Sequence, residues 1–364
     1  MTNYASHDPL HSHGTDRHGT RTATVTAIGR ADFASGRRFP AFVGLAKATG
    51  GYYAENDHGM TLDQALRAAR LDYTVDFVPL TVPVVGPNGV DMVEFRQRGT
   101  VATWPDGTRR GLGTVGARYQ IVQPAQVGEL GQAVLSESGA NIVAAGAFGD
   151  PVGSRSYLAF KLPEGLTVGG QDPHDLYLTL LNSHDGSSGL TGLLAPIRLA
   201  CTNQTAVTFG RGVANRFTIR HTGDTTGKIG AIRRALRLGF TWSAAWTAAA
   251  EQLLSRPLAG ADLDAFLRAV LPTPASATTP AAERGWADRR WAIRQVITSS
   301  ATNEFGRGTA YAAYNGVVEY ADFLSSTQAT DPTASAIARY TRTLQGGPTE
   351  NLKLHAARLL GVGH

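Results

Sequence analysis

The spacing of apolar residues changes along this chain. Short β-branched, aromatic and aliphatic runs bounded by Gly, Pro, Asp or Ser predict strands at Tyr73 to Val82, Val90 to Arg96, Thr100 to Trp104 and Val115 to Gln123. Ile142 to Phe148, Arg155 to Leu162 and Val213 to His221 read the same way. Pro79 and Pro83 mark the first of these strands as an edge or a bulged strand, since proline cannot donate to a ladder. Leu176 to Leu181 and Leu190 to Ala200 differ from the rest, being apolar at successive positions. That predicts a central hairpin buried on both faces. Its link, His184-Asp185-Gly186-Ser187-Ser188-Gly189, carries turn-forming residues. The polar groups at its ends (Asn182, Ser183, His184 and Asp185 at the turn, Thr202, Asn203 and Gln204 at the exit) then need hydrogen-bond partners.

Helical spacing appears first at Thr61 to Leu71, where Thr61 and Gln64 form a capping box, and at Pro124 to Ser138. From Thr225 onward it takes over, in Ile229 to Leu254, Leu263 to Leu271, Glu283 to Thr298, Thr309 to Leu324, Ala334 to Leu344 and Asn351 to Leu360. Strands followed by helices predict an α+β fold, an antiparallel sheet with packed helices and a helical C-terminal portion. Residues 1–40, polar and poor in large apolar groups, read as a disordered tail. The sheet core is then 41–224, and the helical portion packed on it 225–364.

No apolar run reaches the ~18 residues of a membrane span, and no signal peptide opens the chain, so a cytoplasmic protein without a membrane partner is expected. Cys201 is the only cysteine, which excludes an intrachain disulfide. His7, His11, His13 and His18 sit in the polar tail and are read as solvated rather than as metal ligands. No metal or cofactor motif is present: His-Glu-x-x-His and the phosphate loop are absent. Gly111 to Gly116 has the wrong spacing for a dinucleotide fingerprint.

Net charge is +5, carried almost wholly by arginine. The segment from Arg96 to Arg118 sets five arginines against Asp106. Arg211 to Arg237 sets seven basic residues against Asp224. If both segments converge, they make a face able to follow phosphates. Arg118-Tyr119, Arg155-Ser156-Tyr157 and Arg216-Phe217 also alternate guanidinium with aromatic, a combination used to hold single strands.

The stretch NSHDGSSGLTGLLAPIRLACTN, Asn182 to Asn203, resembles the signature of the phage/plasmid-like protein family, domain of unknown function 932. TLDQALRAARLDYTVDFVPL, LGTVGARYQIVQPAQ and GTAYAAYNGVVEYADF, starting at Thr61, Leu112 and Gly308, support the resemblance in the same order. The family brings no established activity. In element order and basic face the chain is also similar, in outline, to single-strand annealing proteins of the RecT and Rad type. That likeness implies DNA as partner, single-stranded, a homo-oligomer and a role in recombination.

The expected contacts are Arg96, Arg98, Arg109, Arg110, Arg118, Tyr119, Arg155, Arg211, Arg216 and Arg220, with no catalytic residue and no cofactor. A polar network of Asn182, Ser183, His184, Asp185, Arg198, Asn203, Asn315 and Glu319 is expected beneath them, because Tyr311, Asn315 and Glu319 form a polar stripe on one helix. The alternatives are an enzyme using His184 and Asp185 with Glu319 or Cys201, and a structural oligomer-forming protein. Adjacent strand residues point to opposite faces, so His184 and Asp185 form an oriented pair only across a sharp turn.

Overall fold

The computed structural model describes residues 41–87, 89–135, 140–163, 165–198, 216–222, 244–327, 331–345 and 347–362. The tail 1–40, Cys201, Thr202, Asn203, Gln204, Arg211, Lys228, Arg233, Arg234 and Arg237 lie outside them.

The central hairpin forms as its apolar pattern requires. Strand β8 (Asp172–Ser183) pairs antiparallel with β9 (Leu190–Arg198), from His174 opposite Arg198 to Leu181 opposite Thr191. Every residue of β9 is buried. Around it lie β1 (Tyr52–Met60), β5 (Asn141–Phe148), β6 (Arg155–Lys161) and β10 (Arg216–Ile219), in the order β1-β5-β6-β8-β9-β10, with short β7 (Leu166–Val168) on β8. A second sheet, β2-β3-β4, joins Thr74–Gly86, Gly89–Thr103 and Arg109–Val115. All pairings are antiparallel, and the fold is α+β.

Two layers cover the large sheet and explain the successive apolar positions. Leu176, Leu178 and Leu180 pack on one face against Tyr73, Trp104 and Leu112 of the small sheet region and against α2 (Leu62–Ala68) and α3 (Pro124–Leu135). Leu181, Leu193, Ala195 and Ile197 pack on the other, against α1 (Ala41–Ala48) and α8 (Pro332–Gln345). Helix α2 starts where its capping box demands: Gln64 N donates to Thr61 Oγ1 at 3.2 Å and Thr61 N to Gln64 Oε1 at 2.9 Å.

The other helices are α4 (244–255), α5 (Gly260–Val270), α6 (Pro280–Ser299), α7 (Ala310–Glu319), which runs into a π turn at Tyr320–Leu324, and α9 (Pro348–Leu359). They build a separate core around Trp246, Phe266, Ile293, Tyr311 and Tyr314, to which β7 contributes Val168. A clasp joins this core to the sheet. Arg198 Nε lies 2.6 Å from Asp172 Oδ2, Tyr311 OH donates to the same oxygen at 2.6 Å, and Arg198 also reaches the carbonyl of Thr302. Ser300 and Thr302 in turn donate to Glu319.

One segment departs from the periodicity. The strand expected over Val115 to Gln123 ends at Val115, and residues 116–123 run as turn and irregular chain. Their backbone groups bond across the fold instead of along a ladder: Gln120 N donates to His221 O at 2.7 Å, and Val122 O accepts from Asn182 at 2.8 Å. Helix α1 and strands β1, β4 and β7 were not marked by the sequence pattern.

Candidate functional site

The turn of the central hairpin builds the site. Ser183 Oγ donates to Ser188 O at 2.7 Å and accepts from Ser188 N at 3.2 Å. Asp185 Oδ1 accepts from Ser187 N at 2.8 Å, its Oδ2 pairs with Arg155 Nε at 3.0 Å, and Gly186 takes a left-handed φ of 76°. Burial would raise the Asp185 carboxyl, but the Ser187 bonds and the Arg155 guanidinium together hold it below the usual carboxylate range.

The small sheet grips this turn from one side. Thr100 Oγ1 donates to His184 O at 2.6 Å and Tyr119 OH to Ser183 O at 2.5 Å. At Gly113 an added Cβ would stand 2.6 Å from Asp185 Cα, so glycine is what lets β4 lie directly on the turn.

Between the turn, residues 116–119 and the end of β10 opens a cleft of about 610 Å³. Arg96 enters from β3, Arg118 from the chain after β4 and Arg220 from the end of β10. All three are exposed, and among the described residues none has a hydrogen-bond or ion-pair partner. No acidic side chain lines the cleft among those residues. Tyr119 and His221 also line it; the two rings stack at 4.7 Å between centroids, and both are buried. Tyr119 was expected to stack on bases. Its ring is covered by His221 and its hydroxyl is tied to Ser183.

The other predicted arginines among the described residues do not join this group. Arg98 lies 3.6 Å over the Phe77 ring and donates to the carbonyls of Ala117 and Tyr119, bracing the cleft wall. Arg110 donates to Val152 O, Arg155 holds Asp185, and Arg109 is exposed on β4 away from the cleft lining. Arg216 donates to the carbonyls of Thr343 and Leu344 and stands 3.6 Å from Glu350, fastening α8 and α9 to β10. Gln97 and His221 were missed; only the adjacency of His221 to Arg220 hinted at it.

The polar network also divides. Asn182, Ser183, His184 and Asp185 lie at the turn, while Arg198, Asn315 and Glu319 serve the clasp at the opposite end. Strand β8 is 12 residues long, so its ends stand roughly 36 Å apart and one stripe of α7 cannot serve both. His184 is fully buried. Burial first, and then the nearby His221, push its pKa down to about 3, while Asp185 pulls weakly the other way. Among the described residues its Nδ1 has no hydrogen-bond partner, and Asp185 is engaged with Arg155 and Ser187, so the two form no dyad.

Among the described residues no group of three or more His, Cys, Asp or Glu is placed to hold a metal ion, and no helix is long and apolar enough to cross a membrane.

Fold and site together define an α+β protein with an arginine-lined cleft at the tip of its central hairpin. The chain belongs to the family described as Domain of unknown function (DUF932), whose model matches residues 111–344. That span holds the hairpin, Arg118 and Arg220, and leaves out Arg96. No curated protein and no solved structure matches the chain.

Proposed function

We propose that the hairpin-tip cleft binds the phosphodiester backbone of nucleic acid, single-stranded DNA in the first instance, as a phage- or plasmid-type protein of recombination would. The observation that carries this reading is the meeting of Arg96, Arg118 and Arg220, from three distant points of the chain, around a cleft with no carboxylate among its described lining residues. An unpaired guanidinium is a forked donor suited to phosphate oxygens. Such binding needs no catalytic group. The coarse likeness to RecT- and Rad-type annealing proteins agrees with it, since annealing requires phosphates to be neutralised and bases left free. Because Tyr119 and His221 are stacked on each other, phosphate contact rather than base stacking supplies the affinity.

Fluorescence anisotropy with a labelled single-stranded oligonucleotide across a salt series tests this. Three phosphate contacts predict a log–log slope near −2, at ~0.7 per contact on single strands. Absence of binding at low salt overturns the proposal.

A further inference from the structure

Strands β2 and β3 run on together well past the sheet they belong to. β4 pairs with β3 only from Arg98 to Thr103, whereas β2 and β3 stay paired from Thr74 opposite Thr103 out to Gly86 opposite Gly89. A register shift between Pro79 and Leu80 marks the root of the free part. Beyond it the hairpin is an arm with solvent on both faces. Opposed residues share a face, so Leu80/Phe95 and Val82/Val93 lie on one side, and Pro83/Met92 and Val85/Val90 on the other.

Val82, Val84, Val85, Val90, Met92, Val93 and Phe95 are all among the exposed large hydrophobics, Val85 at 83 % and Met92 at 62 %. They account for most of the large apolar side chains left exposed among the described residues. Divided between the two faces, they present on the order of 300 Å² of apolar surface on each, within the ~300–600 Å² that the largest patch of a monomer reaches. A two-stranded hairpin alone in water is marginal, so an arm of this composition needs a cover.

We infer that this arm is a self-association surface, and that its occupant is the arm of a second copy of the chain. Composition supports this: an arm of the same sequence paired edge to edge sets its own apolar side chains beside these on both faces, so that each copy covers part of the other. The strand edges support it too. On β2, Pro79 and Pro83 lack the N–H that a further strand would need, which blunts that edge. On β3 the free stretch from Gly89 to Gln97 contains no proline, and among the described residues no third strand lies beside it. A like edge from a second copy, related by a two-fold axis, pairs antiparallel and satisfies both chains in one operation.

Sedimentation velocity on the full chain from ~1 to 50 µM is the test, with Val90→Glu/Met92→Glu as the variant. Both side chains are exposed, so the double change leaves the circular dichroism of the wild type intact. The expected result is a wild type at twice the monomer mass or more, and a variant that sediments as the monomer. Val85→Lys gives the same result if the double variant does not fold. A wild type that is monomeric throughout overturns the inference, including one that only associates with lipid vesicles; so does a folded variant that keeps the wild-type mass. The variants leave Arg96, Arg118 and Arg220 in place, so oligonucleotide binding read on the same samples separates failure of the arm from failure of the cleft.

Discussion

Replacing Asp172 by Ala is expected to lower the free energy of unfolding by about 3–5 kcal/mol, the usual cost of stranding one partner of a buried ion pair. Asp172 and Arg198 are 3 % and 1 % exposed, and the carboxylate also receives the Tyr311 hydroxyl. Without it the guanidinium loses the carboxylate of its buried pair, while its bonds to the Thr302 carbonyl and the Asn303 amide remain. The loss is large against the ~5–15 kcal/mol that holds a domain folded. The clasp links β8 and β9 to α7 and the turn before it, so the helical core is expected to loosen first. Urea denaturation followed by circular dichroism measures the shift. The double change Asp172→Leu/Arg198→Met should recover part of the loss, because it removes both charges. A midpoint unmoved by Asp172→Ala would show that the clasp contributes nothing.

Acid is the second strong perturbation. His184 is held neutral in the folded chain down to about pH 3, whereas in the unfolded chain it takes up a proton near 6.5. The unfolded state therefore binds the extra proton between those values, and stability falls as pH falls through that window. The slope is about 1.4 kcal/mol per pH unit, so roughly 2–3 kcal/mol is lost by pH 4.5. His174, lowered chiefly by burial, adds to the same limb. His184→Leu keeps an apolar group of similar size against Tyr73 and removes the titration. Between pH 7.5 and 4.5 the variant should lose about 2–3 kcal/mol less than the wild type in urea titrations. Parallel losses would place the acid sensitivity elsewhere.

The sequence revealed the central hairpin because burial on both faces leaves an apolar run with no alternation, a pattern that needs no tertiary information. The capping box at Thr61 and Gln64 was equally local. Arg118 and Arg220 were legible as members of basic segments, but their segments also contain Arg98 and Arg216, which brace the fold. Nothing local separates a free arginine from one lying over Phe77 or bonded to the end of α8. The segment after Val115 misled for a related reason: its apolar residues alternate like a strand, yet Tyr119 and Val122 serve as anchors for the hairpin turn. The division of the polar network was hidden because placing α7 against one end of β8 is a tertiary choice. Strand β4 was obscured by the glycines at positions 111 and 113, and Gly113 is there because the turn lies against it.

In the proposed function three free guanidinium groups act together in one cleft. Their joint action is tested most directly by comparing Arg96→Ala/Arg118→Ala/Arg220→Ala with a charge-matched control, Arg268→Ala/Arg284→Ala/Arg358→Ala, whose arginines are exposed on α5, α6 and α9. Affinity for a labelled single-stranded oligonucleotide at fixed low salt is the quantity to measure. The cleft variant should lose on the order of 1,000-fold or more, at ~1.5 kcal/mol or more for each of its charge-assisted contacts, with its salt slope falling toward zero. The control should stay within about threefold of wild type. Equal losses in the two variants would mean that only overall positive charge attracts the strand, and that the cleft is not the site.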